Sequence, residues 1–259
     1  MASGGRVVVV GLGPAGADLL LPVARDAIER AAVRYARTLR HPAIADLARD
    51  GMLFETFDAS YDDASDLDAV YVSIVDALVD AAGHHGDVLY AVPGNPVVAE
   101  RTVALLRSRD VDVVVVPGLS FADLAWTRVG VDPMHGARVV DAHDFAVSAA
   151  GVGGPLLIAQ CDDRFVCSDV KLALLEALPP DHAVTVLQRL GLPDEHIEVV
   201  RLEDVDRVVV PDHLTSLFVD TGHVSIANEL ARFVALVERL RGPGGCPWDA
   251  AQTHHSLRR

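Results

Sequence analysis

Cysteine is nearly missing from this 259-residue chain. Cys161, Cys167 and Cys246 are too few for the disulfide framework of a small secreted domain. Aromatic residues reach only 5%, so the core has to be built from small aliphatics, and most of the 51% hydrophobic share is Ala and Val. Basic residues are also short: 22 Lys and Arg stand against 37 Asp and Glu, a formal net charge of -15 that disfavours a nucleic-acid partner. Long apolar runs are lacking. The longest uncharged stretch, Phe145 to Cys161, falls short of a bilayer span and is interrupted by Gly151, Gly153, Gly154 and Pro155, so it reads as a loop leading into a buried strand. Met1 to Arg6 has no signal-peptide profile, and a reducing, cytoplasmic setting without a membrane partner is expected.

What is present is an alternation of short β-branched runs with longer helical stretches, the signature of an α/β protein with parallel strands covered on both faces. Strands are expected at Arg6 to Val10, Leu53 to Phe57, Asp87 to Val92 and Val111 to Val116, with helices at Leu19 to Ala32, Leu67 to Ala82 and Val97 to Arg109. Leu67, Val70, Tyr71, Ile74, Leu78 and Ala81 form an apolar stripe at helical spacing. Further strands are expected at Leu156 to Gln160, Ala183 to Leu187, Glu198 to Arg201 and Thr215 to Val219, with a helix at Val170 to Leu178. The division expected is an N-terminal α/β domain over 6–117, a second over 118–225, and a tail over 226–259. The tail begins with a helix, Ile226 to Arg241, carrying Leu230, Phe233, Val234, Val237 and Leu240 on one face.

Three strand ends share one grammar: Gly11-Leu12-Gly13-Pro14-Ala15-Gly16, Val92-Pro93-Gly94-Asn95-Pro96 and Val116-Pro117-Gly118-Leu119-Ser120. The first satisfies the spacing of a dinucleotide-binding turn, but the acidic residue such a site needs about 20 positions on is replaced by Arg34 and Arg37. Pro14 also removes an amide that would face a pyrophosphate. Pro then Gly suits the centre of a type II turn, Asn95 and Ser120 suit helix caps, and Asp123 completes a capping box with Ser120. Parallel strands bring all three turns to one edge, where α/β sheets bind ligands.

These loops resemble the three signature loops of the tetrapyrrole (corrin/porphyrin) methylases, in order and spacing over about residues 6 to 225. The resemblance implies two α/β domains with S-adenosyl-L-methionine folded into the cleft between them, usually in a homodimer. It implies a methyltransferase acting on a small-molecule acceptor that the sequence does not identify, a tetrapyrrole-like one being the candidate the family suggests. It places Pro14 beside the cofactor, Pro93, Gly94, Asn95 and Val98 on it through the second loop, and Ser120 and Phe121 through the third. Gln160 sits where a further contact is expected, and a later one maps near Gln188 to Leu190. Two departures stand out: Ala15 replaces the usual second glycine of the first loop, and Asn95 replaces the Asp common in the second. No nucleophile and base pair is evident, and none is required, because a sulfonium methyl is already electrophilic and the protein's work is largely orientation.

Leu240 to Asp249, with Gly242-Pro243-Gly244-Gly245-Cys246-Pro247-Trp248 inside it, and Gln252 to Arg259 resemble the entry to a MazG nucleotide pyrophosphohydrolase domain. That family's following helices carry a Glu-Glu-x-x-Glu cluster and a further Glu-x-x-Asp that hold Mg²⁺. The sequence as it stands ends before such a cluster, so the segment reads as the truncated start of that domain without hydrolase activity of its own. The alternative is a noncatalytic binding or regulatory module for the pyrophosphohydrolase. No metal site is expected: His84 and His85 lack partners at ligand spacing and read as an exposed turn, as do His254 and His255. Cys161 and Cys167 read as buried structural thiols, and Asp58 to Asp68 as a solvated acidic loop in which Asp66 caps the next helix.

Overall fold

A computed structural model describes residues 5–62, 67–226, 233, 237, 239–253 and 256. The chain divides into two compact units, Met1–Leu124 with Leu190–Asp194, and Ala125–Arg189 with Glu195–Arg259.

The first unit is built on five parallel strands: β1 (Arg6–Gly11), β2 (Arg34–Ala36), β3 (Glu55–Thr56), β4 (Asp87–Val92) and β5 (Asp112–Val116), in the order β3-β2-β4-β1-β5. Strand alternation sorts its core into two layers. Val7, Val9, Val88, Tyr90 and Val92 face helices α4 (Leu67–His85) and α5 (Arg101–Leu106), while Val10, Leu89 and Ala91 face α1 (Pro22–Arg30) and α2 (Pro42–Arg49). Within α4 the expected stripe is buried at Val70, Ile74 and Leu78, whereas Leu67, at the helix start, is 56% exposed. The sequence pattern gives neither β2, which is three residues long with an Arg at its head, nor α2, nor the short α3 (Asp58–Asp62). His84 and His85 are not a turn but the last turn of α4, with His84 Nδ1 2.7 Å from Asp80 O, and Gly86 (φ 83) ends the helix.

In the second unit, β6 (Arg138–Asp141), β7 (Pro155–Ala159), β8 (Ala183–Gln188), β9 (His196–Arg201) and β10 (Thr215–Asp220) are ordered β6-β7-β10-β8-β9. Only β6 and β7 run parallel. The remaining pairs are antiparallel, which corrects the all-parallel expectation: the link from β8 to β9 is too short for a crossover helix, so the chain turns straight back. α7 (Phe145–Ser148), α8 (Arg164–Leu175) and α9 (Val205–Val208) cover one face, packing on Leu156, Ile158, Val184, Val186, Leu217 and Val219. Cys161 and Cys167 are buried free thiols in this core. α6 (Phe121–Val129) carries the boundary between the units.

Of the helix expected over Ile226 to Arg241, the described residues Phe233, Val237 and Arg239 to Arg241 are helical. Phe233, expected on a buried face, is 61% exposed, and nothing among the described residues covers it. Leu230, Val234, Asp66, His254 and His255 lie outside the described residues. No described helix is long and apolar enough to cross a membrane, and among the described residues no group of three or more metal-ligating side chains occurs.

Candidate functional site

The three glycine turns meet backbone to backbone at the C-terminal edge of the parallel sheet. Gly13 and Gly94 exchange both hydrogen bonds, Gly13 N–H to Gly94 O at 3.2 Å and Gly94 N–H to Gly13 O at 2.8 Å. Asn95 joins the third turn by donating from Nδ2 to Gly118 O at 2.8 Å. The approach is closest at Gly11 and Gly118. A Cβ on Gly11 would lie 2.6 Å from Gly94 O and 2.7 Å from Gly118 N, and one on Gly118 would lie 2.5 Å from Gly94 O and 2.8 Å from Gly11 Cα. Glycine is demanded at both by neighbouring backbone that has no room to move aside. Gly94 differs: with φ at 64°, its missing Cβ would meet only Leu119 O, 3.9 Å away, so its α-carbon faces an open cradle.

These contacts revise the turn and cap expectations. Gly94 takes the positive φ of a type II turn, but Gly118 has no such φ and is required by close packing alone. Asn95 and Pro96 do not open a helix. The Asn95 amide is used twice, by Gly118 O and by Val97 N–H (3.1 Å to Oδ1), and left-handed Ala99 (φ 53) delays α5 until Arg101, with Glu100 as its cap. An Asp at position 95 lacks the N–H that reaches Gly118, which gives this departure from the resemblance a physical reason. Ser120 does precede α6, and Asp123 accepts from its N–H at 2.7 Å and its hydroxyl at 2.9 Å. The other departure is also accommodated: a Cβ at Gly191 (φ 81) would fall 3.2 Å from Ala15 Cβ, so the methyl gained at 15 is matched by a side chain absent at 191.

Of the residues expected to contact a cofactor, Pro14, Pro93, Gly94, Asn95, Val98, Ser120 and Phe121 therefore share the loop region of the first unit; Pro14, Pro93 and Phe121 are half-buried and Val98 is exposed. Gln160 lies in the second unit, exposed at the end of β7, left-handed (φ 61), and donating from Nε2 to Asp141 Oδ2 at 3.1 Å. In the stretch Gln188 to Leu190, Gln188 is buried and donates to Val210 O and Thr215 Oγ1 at 2.9 and 3.1 Å.

Two braces of the loops escape the sequence reading. His41 is 8% exposed; its Nδ1 accepts from Ala43 N–H, which leaves Nε2 protonated and donating to Gly13 O at 3.0 Å. Burial pushes its pKa down to about 4, against the Gly13 hydrogen bond, so the ring is neutral at pH 7. Because the folded value lies below the unfolded one, neutral His41 stabilises above about pH 6.5, and about 3 kcal/mol is lost as pH falls from there towards 4. His41→Gln is expected to flatten that part of the stability profile, as read by urea unfolding at stepped pH. The second brace is Arg37, just past β2, whose Nη1 lies 2.7 Å from Oε2 of Glu100 at the far end of the second loop. The signal for His41 was its place before Pro42, the first residue of a helix; the Arg37–Glu100 pairing spans 63 residues and leaves no local sign.

A family model for tetrapyrrole (corrin/porphyrin) methylases matches residues 6–206. An uncharacterized protein of Bacillus subtilis, YabN, is 37% identical over 98% of this chain, and the chain spans 53% of that relative's length. Among solved structures, a uroporphyrin-III-C-methyltransferase from Thermus thermophilus is 25% identical, covering 84% of this chain and 92% of its own, with a TM-score of 0.63. The Thermus thermophilus enzyme complexed with S-adenosyl homocysteine aligns at 22% identity over 83% and 92% of the two chains, with a TM-score of 0.62. A precorrin-6Y methylase from Archaeoglobus fulgidus aligns at 22% identity over 85% and 99%, with a TM-score of 0.60. With more than half its length matched by the family model and its loops locked together at the sheet edge, the chain belongs to the tetrapyrrole methylase family.

Proposed function

We propose that the protein is an S-adenosyl-L-methionine-dependent methyltransferase of the tetrapyrrole methylase type. The observation that carries this is the open face of Gly94, presented by three turns whose backbones are fixed against one another. The fit to the cofactor is physical: the α-carbon of Gly94 borders a space that a side chain would fill, with the Leu119 carbonyl oxygen 3.9 Å from where its Cβ would stand, so a flat, polar molecule can lie against bare backbone there. Pro14, Pro93, Gly94, Asn95, Val98, Ser120 and Phe121 would hold it, with Gln160 as a further contact. When bound, the cofactor supplies an electrophilic methyl group, and the residues' task is to fix its direction and exclude water. A tetrapyrrole-like acceptor, a homodimer and a cytoplasmic setting are parts of the same proposal, as is membership in a longer protein that continues into a MazG-type pyrophosphohydrolase. The last rests on the Gly242 to Trp248 motif.

Calorimetric titration with S-adenosylhomocysteine is expected to give micromolar binding, with none for NADP or a nucleoside triphosphate. No binding by protein shown to be folded would favour the noncatalytic module.

A further inference from the structure

All four tyrosines of this aromatic-poor chain gather in one place. Tyr35 stacks on Phe57 (5.6 Å), Phe57 meets Tyr90 edge-on (6.0 Å), and Tyr61 meets Tyr71 (6.5 Å). Arg37 lies against both of the last two, 5.9 Å from the Tyr61 centroid and 5.8 Å from that of Tyr71. Beside them is a pocket of about 240 Å³ lined by Arg37, Thr38, Arg40, Asp58 and Tyr61, at the C-terminal edge of β2 where α/β sheets take ligands.

Arg37 is held ready for a ligand. Its Nε donates to Tyr61 Oη at 3.2 Å and its Nη1 to Glu100, two bonds from a group with five donors, so its remaining N–H groups are uncommitted among the described residues. The carboxylates close by are turned to other work. Glu100 Oε1 takes the Thr102 hydroxyl and N–H, and Asp58 Oδ2 takes Leu39 N–H and the Thr56 hydroxyl, both at 2.8 Å. Tyr61, having accepted from Arg37, keeps its own proton to donate, and burial, which outweighs the neighbouring Arg37, raises its pKa so that the proton stays on.

We infer that this pocket binds a carboxylate, held by the Arg37 guanidinium and the Tyr61 hydroxyl, and that it receives the carboxylate end of the methyl acceptor. The acceptor role rests on the methyltransferase reading above; the carboxylate site does not. A planar guanidinium edge matches a carboxylate's two oxygens, and the lining sets Arg37 and Arg40 against Asp58, one net positive charge that a singly charged carboxylate matches more closely than a phosphate with nearly two. The volume is below the roughly 300–1,000 Å³ that engulfs a drug-sized molecule, so one end of a ligand enters rather than a whole macrocycle.

The probe is benzoate, with isosteric benzamide and inorganic phosphate beside it, titrated by calorimetry into the full chain with and without S-adenosylhomocysteine. Benzoate is expected to bind at about millimolar Kd, with benzamide and phosphate at least about tenfold weaker. Saturation should perturb the tyrosine ultraviolet bands, which report this location because no tyrosine lies elsewhere. Tyr61→Phe, which keeps the ring on Arg37, is expected to weaken benzoate about fivefold. The double variant Arg37→Gln/Glu100→Gln, which leaves no unpaired charge behind, should weaken it tenfold or more. Equal binding of benzoate and benzamide, tighter binding of phosphate, or unchanged affinity in the double variant overturns the site. S-adenosylhomocysteine binding without benzoate binding sinks the pocket alone, and benzoate binding without S-adenosylhomocysteine binding sinks the acceptor role with the methyltransferase reading.

Discussion

Gly118→Ala, a change of one methyl group, is expected to abolish S-adenosylhomocysteine binding and to destabilise the first unit by about 1–3 kcal/mol, the usual range for overpacking. The new Cβ would sit 2.5 Å from Gly94 O and 2.8 Å from Gly11 C and Cα, and those are backbone atoms with no rotamer to swing away. Relief requires the second and third turns to separate, which strains the Asn95–Gly118 bond and moves the Gly13–Gly94 pair that it adjoins. Gly94→Ala is the internal control. It places a non-glycine residue at φ 64, at about 1–2 kcal/mol, but its Cβ projects into open space 3.9 Å from Leu119 O. Urea unfolding should find the two variants destabilised to a similar degree. Calorimetry separates them, because Gly118→Ala distorts the whole cradle and Gly94→Ala only partly fills it. Retained micromolar affinity in Gly118→Ala would show that the packed turns do not shape the cofactor site.

What could be read beforehand follows from how local its cause is. β1, β4 and β5 are runs of apolar, mostly β-branched residues stopped by Gly or Pro, so both their existence and the turns after them are written in adjacent residues. β2, with Arg34 and Tyr35 in three residues, is a strand because Leu89, Tyr90 and Ala91 pair with it, and that is a fact about another segment. The same distinction divides the site. The capping pair Ser120 and Asp123 sits three residues apart and was legible, whereas Gly11 and Gly118 owe their identity to a meeting across more than 100 residues. Asn95 shows both sides: its turn was legible, but the acceptor it serves is the carbonyl of Gly118. The tyrosine cluster was invisible for the same reason, since its members come from β2, α3, α4 and β4.

Arg37→Met is expected to have the largest single effect on stability, about 3–5 kcal/mol, because it leaves the Glu100 carboxylate charged, 2% exposed and without its cation. Burial works against the charge on Arg37, yet Glu100 and Tyr61 more than offset it and its pKa lies above the ordinary arginine value, so Arg37 stays charged at every accessible pH. Glu100 is also fastened on its other oxygen to Thr102, which reaches Tyr90 Oη at 3.4 Å, so a carboxylate that must be neutralised drags a buried network with it. Glu100→Gln alone is milder, since Arg37 is a quarter exposed and retains water and Tyr61 Oη as partners. The double variant Arg37→Met/Glu100→Gln should recover most of the loss, giving a coupling of about 2–3 kcal/mol in a denaturation double-mutant cycle. Additive single effects would show that the pair is merely adjacent. The functional consequence runs through position: Glu100 ends the loop that begins at Pro93, and Arg37 is tied to β4 by its N–H to Ala91 O at 2.9 Å, so the ion pair anchors the far end of the Gly94 loop to the sheet that bears its near end. Where the double variant restores stability, S-adenosylhomocysteine affinity should stay reduced, because neutral partners fill the space without holding the loop.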